Sequence, residues 1–347
     1  MAITDTKAIP KGSTILIIGA NGYTGSHVAN QFLERGYKVR GTVRNAENNA
    51  WLPKFFEEKY GRGNFELVKV ADMSTEHAFD QVAKGVSAVI HTAQNMSLSP
   101  NPNEVIPQVI AGVLNGLKAA YNAPSVKRFI YTSSCAASYS PERCDDLDTV
   151  VTEDTWNEYT VKQAWAPPPY TPDRGMVVYA ASKTQAEQEL WKYHDEHQHE
   201  RPDLVVNTVV PSLNLGKPLD PANQGYSSTS AFIPLLLKGT KFPMHPFFPR
   251  QYYVHVQDSA RLHVAATILE DIKDQRIFAY SERFSWDKIL AMLREACPGS
   301  ILPHDFSGGH DPHEIVPRDK AEALLRLLGR PGFIGLEESV KETINGL

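Results

Sequence analysis

The chain has 347 residues, 42% of them apolar and 22% charged, with a formal net charge of −5 and a pI near 6.2. This is the make-up of a globular protein long enough for a large domain and a smaller one, and it excludes a basic nucleic-acid binder. Three cysteines without a CxxC pair, Cys135, Cys144 and Cys297, argue against a disulfide framework and for a reducing, cytoplasmic setting.

The apolar run "ILIIGA" near the N-terminus is broken by glycine too early for a signal peptide or a membrane span, so no membrane partner is expected. Residues 14–20, 37–44, 65–71, 86–93, 127–134 and 204–210 read as strands. Several are apolar nearly throughout, as strands covered on both faces are. Helical patterns fall between them, near 22–35, 47–60, 75–84, 104–122 and 178–197. The alternation predicts an α/β fold with a doubly wound parallel sheet. After Pro211 the texture changes, with "KPLDPANQGYSSTS" and "KFPMHPFFPRQYYV" rich in Pro, Gly and aromatic residues. The expected organisation is a nucleotide-binding domain over 1–211 and a smaller substrate-binding domain over 212–347, with 252–272 folding back onto the first.

"ILIIGANGYTGSHVANQFLERG" places Gly19, Gly22 and Gly25 in GxxGxxG spacing between a buried strand and a helix. Gly19 permits a sharp turn, Gly22 lets backbone approach a pyrophosphate, and Gly25 lets the helix pack on the sheet. Asn21 and Tyr23 lie in the same loop, and the helix N-terminus supplies amide donors to a phosphate. Dinucleotide binders that prefer NAD usually end the second strand with an acid for the ribose hydroxyl. Here Arg44 occupies that turn, and a guanidinium suits a 2′-phosphate, so NADPH is the expected cofactor. Asp72, after the third strand, reads either as an acceptor for the adenine amino group or as the cap of the next helix. Thr92 and Ala93 end the fourth strand at the carboxyl edge, where the ligand crevice of such sheets lies.

The fifth strand ends in Ser133 and Ser134 at that same edge. Tyr179 and Lys183 follow in "VYAASKTQAEQELW", four residues apart and on one helix face, with the small residues Ala180, Ala181 and Ser182 between them. Carbonyl reduction needs a hydride and a proton. A phenol with a pKa near 10 is a weak acid at neutral pH, and a neighbouring ammonium stabilises its phenolate. A serine hydroxyl polarises the carbonyl oxygen.

GANGYTG, the strand-end TSS and YAASK together resemble the extended short-chain dehydrogenase/reductases. "GYKVRGTVR", "PSVKRFIYTSS", "VYAASKTQAE" and "LLGRPGFIGLEESVK" are similar to the dihydroflavonol reductase-like branch, which includes fungal NADPH-dependent aldehyde and carbonyl reductases. The resemblance implies a Rossmann-type nucleotide domain and a catalytic triad of Ser134, Tyr179 and Lys183, with Ser134 preferred over Ser133. It also implies that Pro211 and Ser212 border the nicotinamide, and that Phe248 and Tyr252 line the substrate pocket. Two departures stand out. Asn48 occupies the region where related reductases often carry a second cation, and Val109 replaces the asparagine that many short-chain enzymes have on the helix before the serine strand. Asn115, nearby, reads as structural.

The remaining candidates read as structural. His194, His197 and His199 suit a solvated helix end better than a metal site, and no metal is expected. His255 and His263 read as structural, and Cys135 as a buried packing thiol. "KFPMHPFFPRQYYV" suits an aromatic pocket wall. The expected function is reduction of a small-molecule aldehyde or ketone by a monomer or weak homodimer. The alternatives are a nucleotide-sugar epimerase or dehydratase on the same fold, holding NAD tightly, and a regulatory protein that binds NADP without catalysis.

Overall fold

In the computed structural model, which describes residues 7–140, 150–241, 245, 248 and 250–347, the apolar runs become strands close to their expected bounds. In chain order these are β1 (Thr14–Ile18), β2 (Lys38–Val43), β3 (Phe65–Lys69), β4 (Ala88–His91), β5 (Arg128–Thr132), β6 (Val150–Val151) and β7 (Val205–Pro211), followed by β8 (Leu213–Leu215), β9 (Arg250–His255), β10 (Arg276–Ala279), β11 (Arg283–Ser285) and β12 (Glu314–Ile315). The helices of the first half are α1 (Tyr23–Glu34), α2 (Trp51–Tyr60), α3 (Pro102–Asn122), α4 (Glu158–Ala164) and α5 (Gly175–His197). Those that follow are α6 (Pro221–Gln224), α7 (Phe232–Leu237), α8 (Val256–Ile268), α9 (Trp286–Ala296), α10 (Arg318–Leu327) and α11 (Leu336–Asn345).

The main sheet has seven strands in the order β10-β7-β5-β4-β1-β2-β3, and each adjacent pair is parallel. Alternation along the strands covers both faces. Ile15 and Ile17 pack in one core with Val28 and Phe32 of α1 and Leu262 and Val264 of α8. Leu16 and Ile18 pack in the other with Val113 of α3 and Ala181 and Leu190 of α5. The chain runs outward from β1 through β2 to β3 and then returns to β4 on the other side of β1. That reversal opens a crevice at the carboxyl ends of β1 and β4, the usual ligand position in such sheets.

Two features of the main sheet were not expected. Residues 75–84 form a succession of turns in place of a helix, because His77 sits at φ +63° and the local hydrogen bonds run largely from i to i−3, as from Asp80 N–H to the His77 carbonyl. The strand β10, too short and mixed to stand out in the sequence, closes the sheet against β7, while α8 lies against α1. Beyond Pro211, Leu213, Phe232, Tyr253, Trp286, Leu290 and Val340 form a separate apolar core beneath the three-stranded sheet β11-β9-β8. Among the described residues, no helix is long and apolar enough to cross a membrane.

Candidate active site

The β1–α1 turn is built by close backbone approach. Gly19 has φ +86°, which favours glycine, and a Cβ there would lie 3.0 Å from Ala93. At Gly25 a Cβ would lie 2.2 Å from the Gly19 carbonyl and 2.8 Å from Thr92 Oγ1. Gly22 is the N-cap of α1 and offers no side chain to its first-turn amides. Those donors and the positive end of the helix dipole therefore stand open at the crevice, a cradle that fits a dinucleotide pyrophosphate. Thr92 Oγ1 donates to the Ile18 carbonyl at 2.8 Å, which ties the end of β4 to the end of β1.

The flanking residues divide into those that face the crevice and those turned to protein. Asn21 Nδ2 donates to Asn49 Oδ1 at 2.9 Å, and the Tyr23 hydroxyl donates to the Gly216 carbonyl at 2.7 Å. These two side chains shape the loop from behind. Arg44 follows β2, is exposed, and has no ion pair among the described residues. Asp72 caps no helix. Its carboxylate accepts from Ser74 N–H at 2.8 Å and Ser74 Oγ at 2.7 Å, bonds that close a turn and hold its pKa below the ordinary value. Ser212 follows Pro211, and its N–H and Oγ both donate to the Ala279 carbonyl at 3.1 Å.

Two adjacent serines at the end of β5 point to different partners. Ser133 Oγ is buried and donates to Glu187 Oε2 at 2.5 Å. Ser134 caps a short 3-10 turn, accepting from Ala136 N–H at 3.3 Å, and its hydroxyl lies near enough to the Tyr179 phenol to draw the phenol's pKa down. The preceding loop delivers α5 to this spot. The Arg174 guanidinium donates to the carbonyls of Gln163, Ala164, Ala166, Pro167 and Pro169, gathering the Pro-rich segment at the helix start. Gly175 is required there, since a Cβ would lie 2.4 Å from the Leu98 carbonyl. The helix begins three residues before the expected position, so Tyr179 lies in its second turn. Asn115 donates to the Met73 and Thr75 carbonyls and holds the turn after β3.

Burial pushes the Tyr179 phenol up to about 12, against a lowering by the Ser134 hydrogen bond. Burial pulls the Lys183 ammonium down to about 7, against a raising by Glu187. The expected direct lowering of the phenol by Lys183 is not what this structure shows. Lys183 Nζ donates instead to the Thr132 carbonyl at 2.9 Å and to the Tyr131 hydroxyl at 3.4 Å, so the ammonium is anchored to the strand. The small residues between the pair serve packing: Ala181 and Ser182 are fully buried, and Ser182 Oγ donates to the Tyr179 carbonyl.

Other expectations are corrected or refined. His194 is buried, with Nδ1 2.8 Å from the Tyr121 hydroxyl and Nε2 3.2 Å from Asp274, while His199 is exposed as a solvated helix end should be. Phe248 packs against Phe232 in the smaller core and its carbonyl accepts from Trp286 Nε1 at 2.6 Å. Tyr252 is buried in a cluster with Cys135, Val210 and Tyr280, and its hydroxyl donates to the His313 carbonyl. His255 caps α8 and pairs with Glu342, and His263 Nε2 meets Thr132 Oγ1 at 2.7 Å. Cys135 is a buried thiol, and Cys144 lies outside the described residues. Unforeseen in the sequence was the Glu187–Arg276 pair beneath Ser133; the only available signal was an acid one helical turn beyond Lys183.

Residues 15–278 match the NAD dependent epimerase/dehydratase family. The chain is 38% identical to "Aldehyde reductase 2" of Sporidiobolus salmonicolor, over 99% of this chain and 98% of that protein. It is 34% identical to "Ketoreductase nvfG" of Aspergillus novofumigatus, over 97% of each. Gre2 of Candida albicans, solved in complex with NADPH, superposes with a TM-score of 0.80 at 26% identity, covering 97% of this chain and 99% of that one. With the glycine cradle, the parallel sheet and full-length relatives in agreement, the chain belongs to the NAD dependent epimerase/dehydratase family, that is, to the extended short-chain dehydrogenase/reductases.

Proposed function

We propose that this protein reduces the carbonyl group of a small-molecule aldehyde or ketone to an alcohol with NADPH. The observation that carries the reading is that Ser134 and Tyr179 come together, with Lys183 one turn on along α5, at the edge of a sheet whose β1–α1 turn fits a dinucleotide. The printed names of the aldehyde reductase and ketoreductase relatives support it. Gly19, Gly22, Gly25, Thr92 and Ala93 would hold the pyrophosphate side of NADPH, and Arg44 its 2′-phosphate. When bound, NADPH supplies the hydride that the carbonyl carbon accepts. Ser134 orients the carbonyl oxygen by hydrogen bonding. Tyr179, which burial keeps protonated across the neutral range, delivers its proton to the alkoxide as it forms. The Ser134 hydroxyl would share the charge of the phenolate left behind, and Lys183, tied to the Thr132 carbonyl, would balance it through the field of its ammonium and not by contact.

The reading includes a division of labour between residues 1–211, with 252–272 packed back on them, and a substrate-binding unit over 212–347. There Tyr252 and Phe248 would offer ring faces, since their hydroxyl and carbonyl are already engaged. It also includes a cytoplasmic monomer or weak homodimer without a nucleic-acid partner, a view supported by the acidic net charge. The test is NADPH consumption by absorbance over a panel of aromatic aldehydes, α-keto esters and diketones. Tyr179→Phe should lower kcat by about 10²–10⁴-fold while NADPH binding, followed by fluorescence, is retained. Tight NADPH binding without turnover would favour the regulatory alternative. Retention of bound NAD with turnover of a nucleotide sugar would favour the epimerase.

A further inference from the structure

We propose that Glu187, clamped by Arg276, is the positioning residue that aligns both halves of the catalytic pair. It anchors Ser133 so that Ser134 turns to Tyr179, and it supplies the compensating charge for the buried Lys183 ammonium. The inference rests on the carbonyl-reductase reading for its kinetic consequence but not for its electrostatic one.

Glu187 is fully buried on α5, one turn beyond Lys183 and two beyond Tyr179. Its carboxylate is saturated with donors from three elements. Oε2 accepts from Ser133 Oγ at 2.5 Å and from Arg276 Nη2 at 3.2 Å. Oε1 accepts from Thr208 Oγ1 of β7 at 2.7 Å, from Arg276 Nε of β10 at 2.9 Å and from Trp191 Nε1 at 3.4 Å. Burial alone would drive the carboxyl toward its neutral form; Arg276, Ser133 and Thr208 more than offset this and hold its pKa below the ordinary value.

The clamp reaches further through Arg276. Its guanidinium lies 3.8 Å from the Trp156 ring centroid, donates to the Glu153 and Thr155 carbonyls, and meets Ser138 Oγ at 3.3 Å. The next residue of that segment, Asn157, donates through Nδ2 to the Ala136 carbonyl at 2.9 Å. The turn that Ser134 caps is therefore held from both ends, by Ser133 on Glu187 and by Asn157 on the segment Arg276 secures. An ion pair buried this completely is retained at a desolvation cost, and a fixed geometry at the adjoining serine is the gain that explains it here.

Lys183 is faced by Tyr131 from β5, by His91 from β4, and by Tyr179 and Glu187 from its own helix. Burial keeps His91 neutral by pulling its pKa to about 4, and keeps the Tyr131 phenol neutral by pushing it up. Glu187 itself is faced by Arg276 from β10, by Tyr131 from β5 and by Tyr280 just beyond β10. Among these groups Glu187 carries the negative charge that keeps a proton on Lys183.

The test compares Glu187→Gln, Glu187→Asp and the doubly neutral Glu187→Gln/Arg276→Gln with the wild type. The double variant covers the case in which an unpaired Arg276 prevents folding, and NADPH fluorescence certifies an intact cofactor site. In Glu187→Gln the alkaline limb of the kcat–pH profile should move to lower pH by about one unit, a roughly tenfold loss of kcat above the limb. The double variant, which also removes the Arg276 cation, should move the limb in the same direction by a smaller amount. Glu187→Asp keeps the charge, so its limb should stay in place while kcat falls through the altered Ser133 anchor. Independently of turnover, a 13C-NMR titration of the Lys183 ε-methylene should show its midpoint lowered by about one unit in Glu187→Gln and by less in the double variant. An unmoved midpoint overturns the inference whatever the kinetics. A lowered midpoint in a protein whose wild type reduces no carbonyl sustains it and sinks only the proposed reaction.

Discussion

The carboxyl edge of the main sheet and the aromatic unit beyond Pro211 are built by different physical means. At the sheet edge the recognition groups are backbone: the turn at Gly19, the open amides of α1, and a close approach that leaves no space for a Cβ at Gly25. In the aromatic unit the material is side chains whose polar atoms are largely engaged. Tyr252 bonds the His313 carbonyl, Trp286 the Phe248 carbonyl and Tyr253 the Ile334 carbonyl. The first construction fixes one ligand by geometry that tolerates little change. The second is a side-chain core whose packing can vary without disturbing the first, an arrangement that under the proposed function would suit one cofactor and many substrates.

If the two constructions are independent, damage to one should leave the other standing. Trp286 is fully buried, with Phe284 at 5.1 Å, Phe232 at 5.7 Å and Phe306 at 6.4 Å between ring centroids. Trp286→Ala should cost about 3–5 kcal/mol of stability by chemical denaturation. Substrate KM should rise while the Kd for NADPH, measured under native conditions, stays near the wild-type value. A parallel loss of NADPH affinity would mean that the aromatic core also props the cofactor edge.

The reverse experiment uses the glycines. Gly25→Ala places a methyl 2.2 Å from the Gly19 carbonyl, and the atoms that must yield are backbone. Overpacking of this order costs about 1–3 kcal/mol. If the proposed cradle holds the cofactor, the displaced atoms are those that would face its phosphates, and NADPH affinity should fall about 10–100-fold. At Gly22 the same methyl would meet the Gly19 carbonyl at 3.4 Å, an ordinary contact, so Gly22→Ala should leave stability unchanged and affect only ligand approach. Equal stability losses at the two positions, seen in melting curves, would refute this account of the turn.

This contrast also explains what could be read from the sequence. The cofactor edge was legible because local signals encode it: an apolar strand, glycines at fixed spacing, an amphipathic helix and a cation after the second strand. The Ser134–Tyr179–Lys183 group was legible because strand ends and helix phase carry it, although the direction of the Lys183 ammonium was not. That direction depends on the Thr132 carbonyl and the Tyr131 hydroxyl, which the fold brings close from about 50 residues away. Arg276 pairs with Glu187 across 89 residues, a separation at which no periodicity speaks. The helix expected over 75–84 failed on a single backbone choice, the left-handed His77. For Phe248 and Tyr252 the sequence could not separate pocket from core, because aromatics in a Pro-rich stretch suit both equally well.

The effects most diagnostic for the junction between the two regions come from acid. Burial pulls His27 to about 3 and His91, His245 and His263 each to about 4. Each is neutral in the folded chain well below the point, near 6.5, at which it takes up a proton in the unfolded chain. Below that point the unfolded state binds more protons, so stability is fully present above about pH 6.5 and falls as pH drops toward 4. Each histidine contributes up to about 1.4 kcal/mol per pH unit within this window. His91 and His263 lie within the main sheet and its helix layer, but His27 is different. It sits on α1, 3.1 Å from the Lys217 carbonyl, and is influenced by His255 and Glu342, so it joins the cofactor helix to the chain beyond Pro211. Denaturant titrations at pH 7 and pH 5 should show the loss, and His27→Gln, which keeps a donor without a titrating ring, should remove about a quarter of it. If His27→Gln leaves the pH dependence unchanged, the junction is hydrated in solution and the two regions are held together elsewhere.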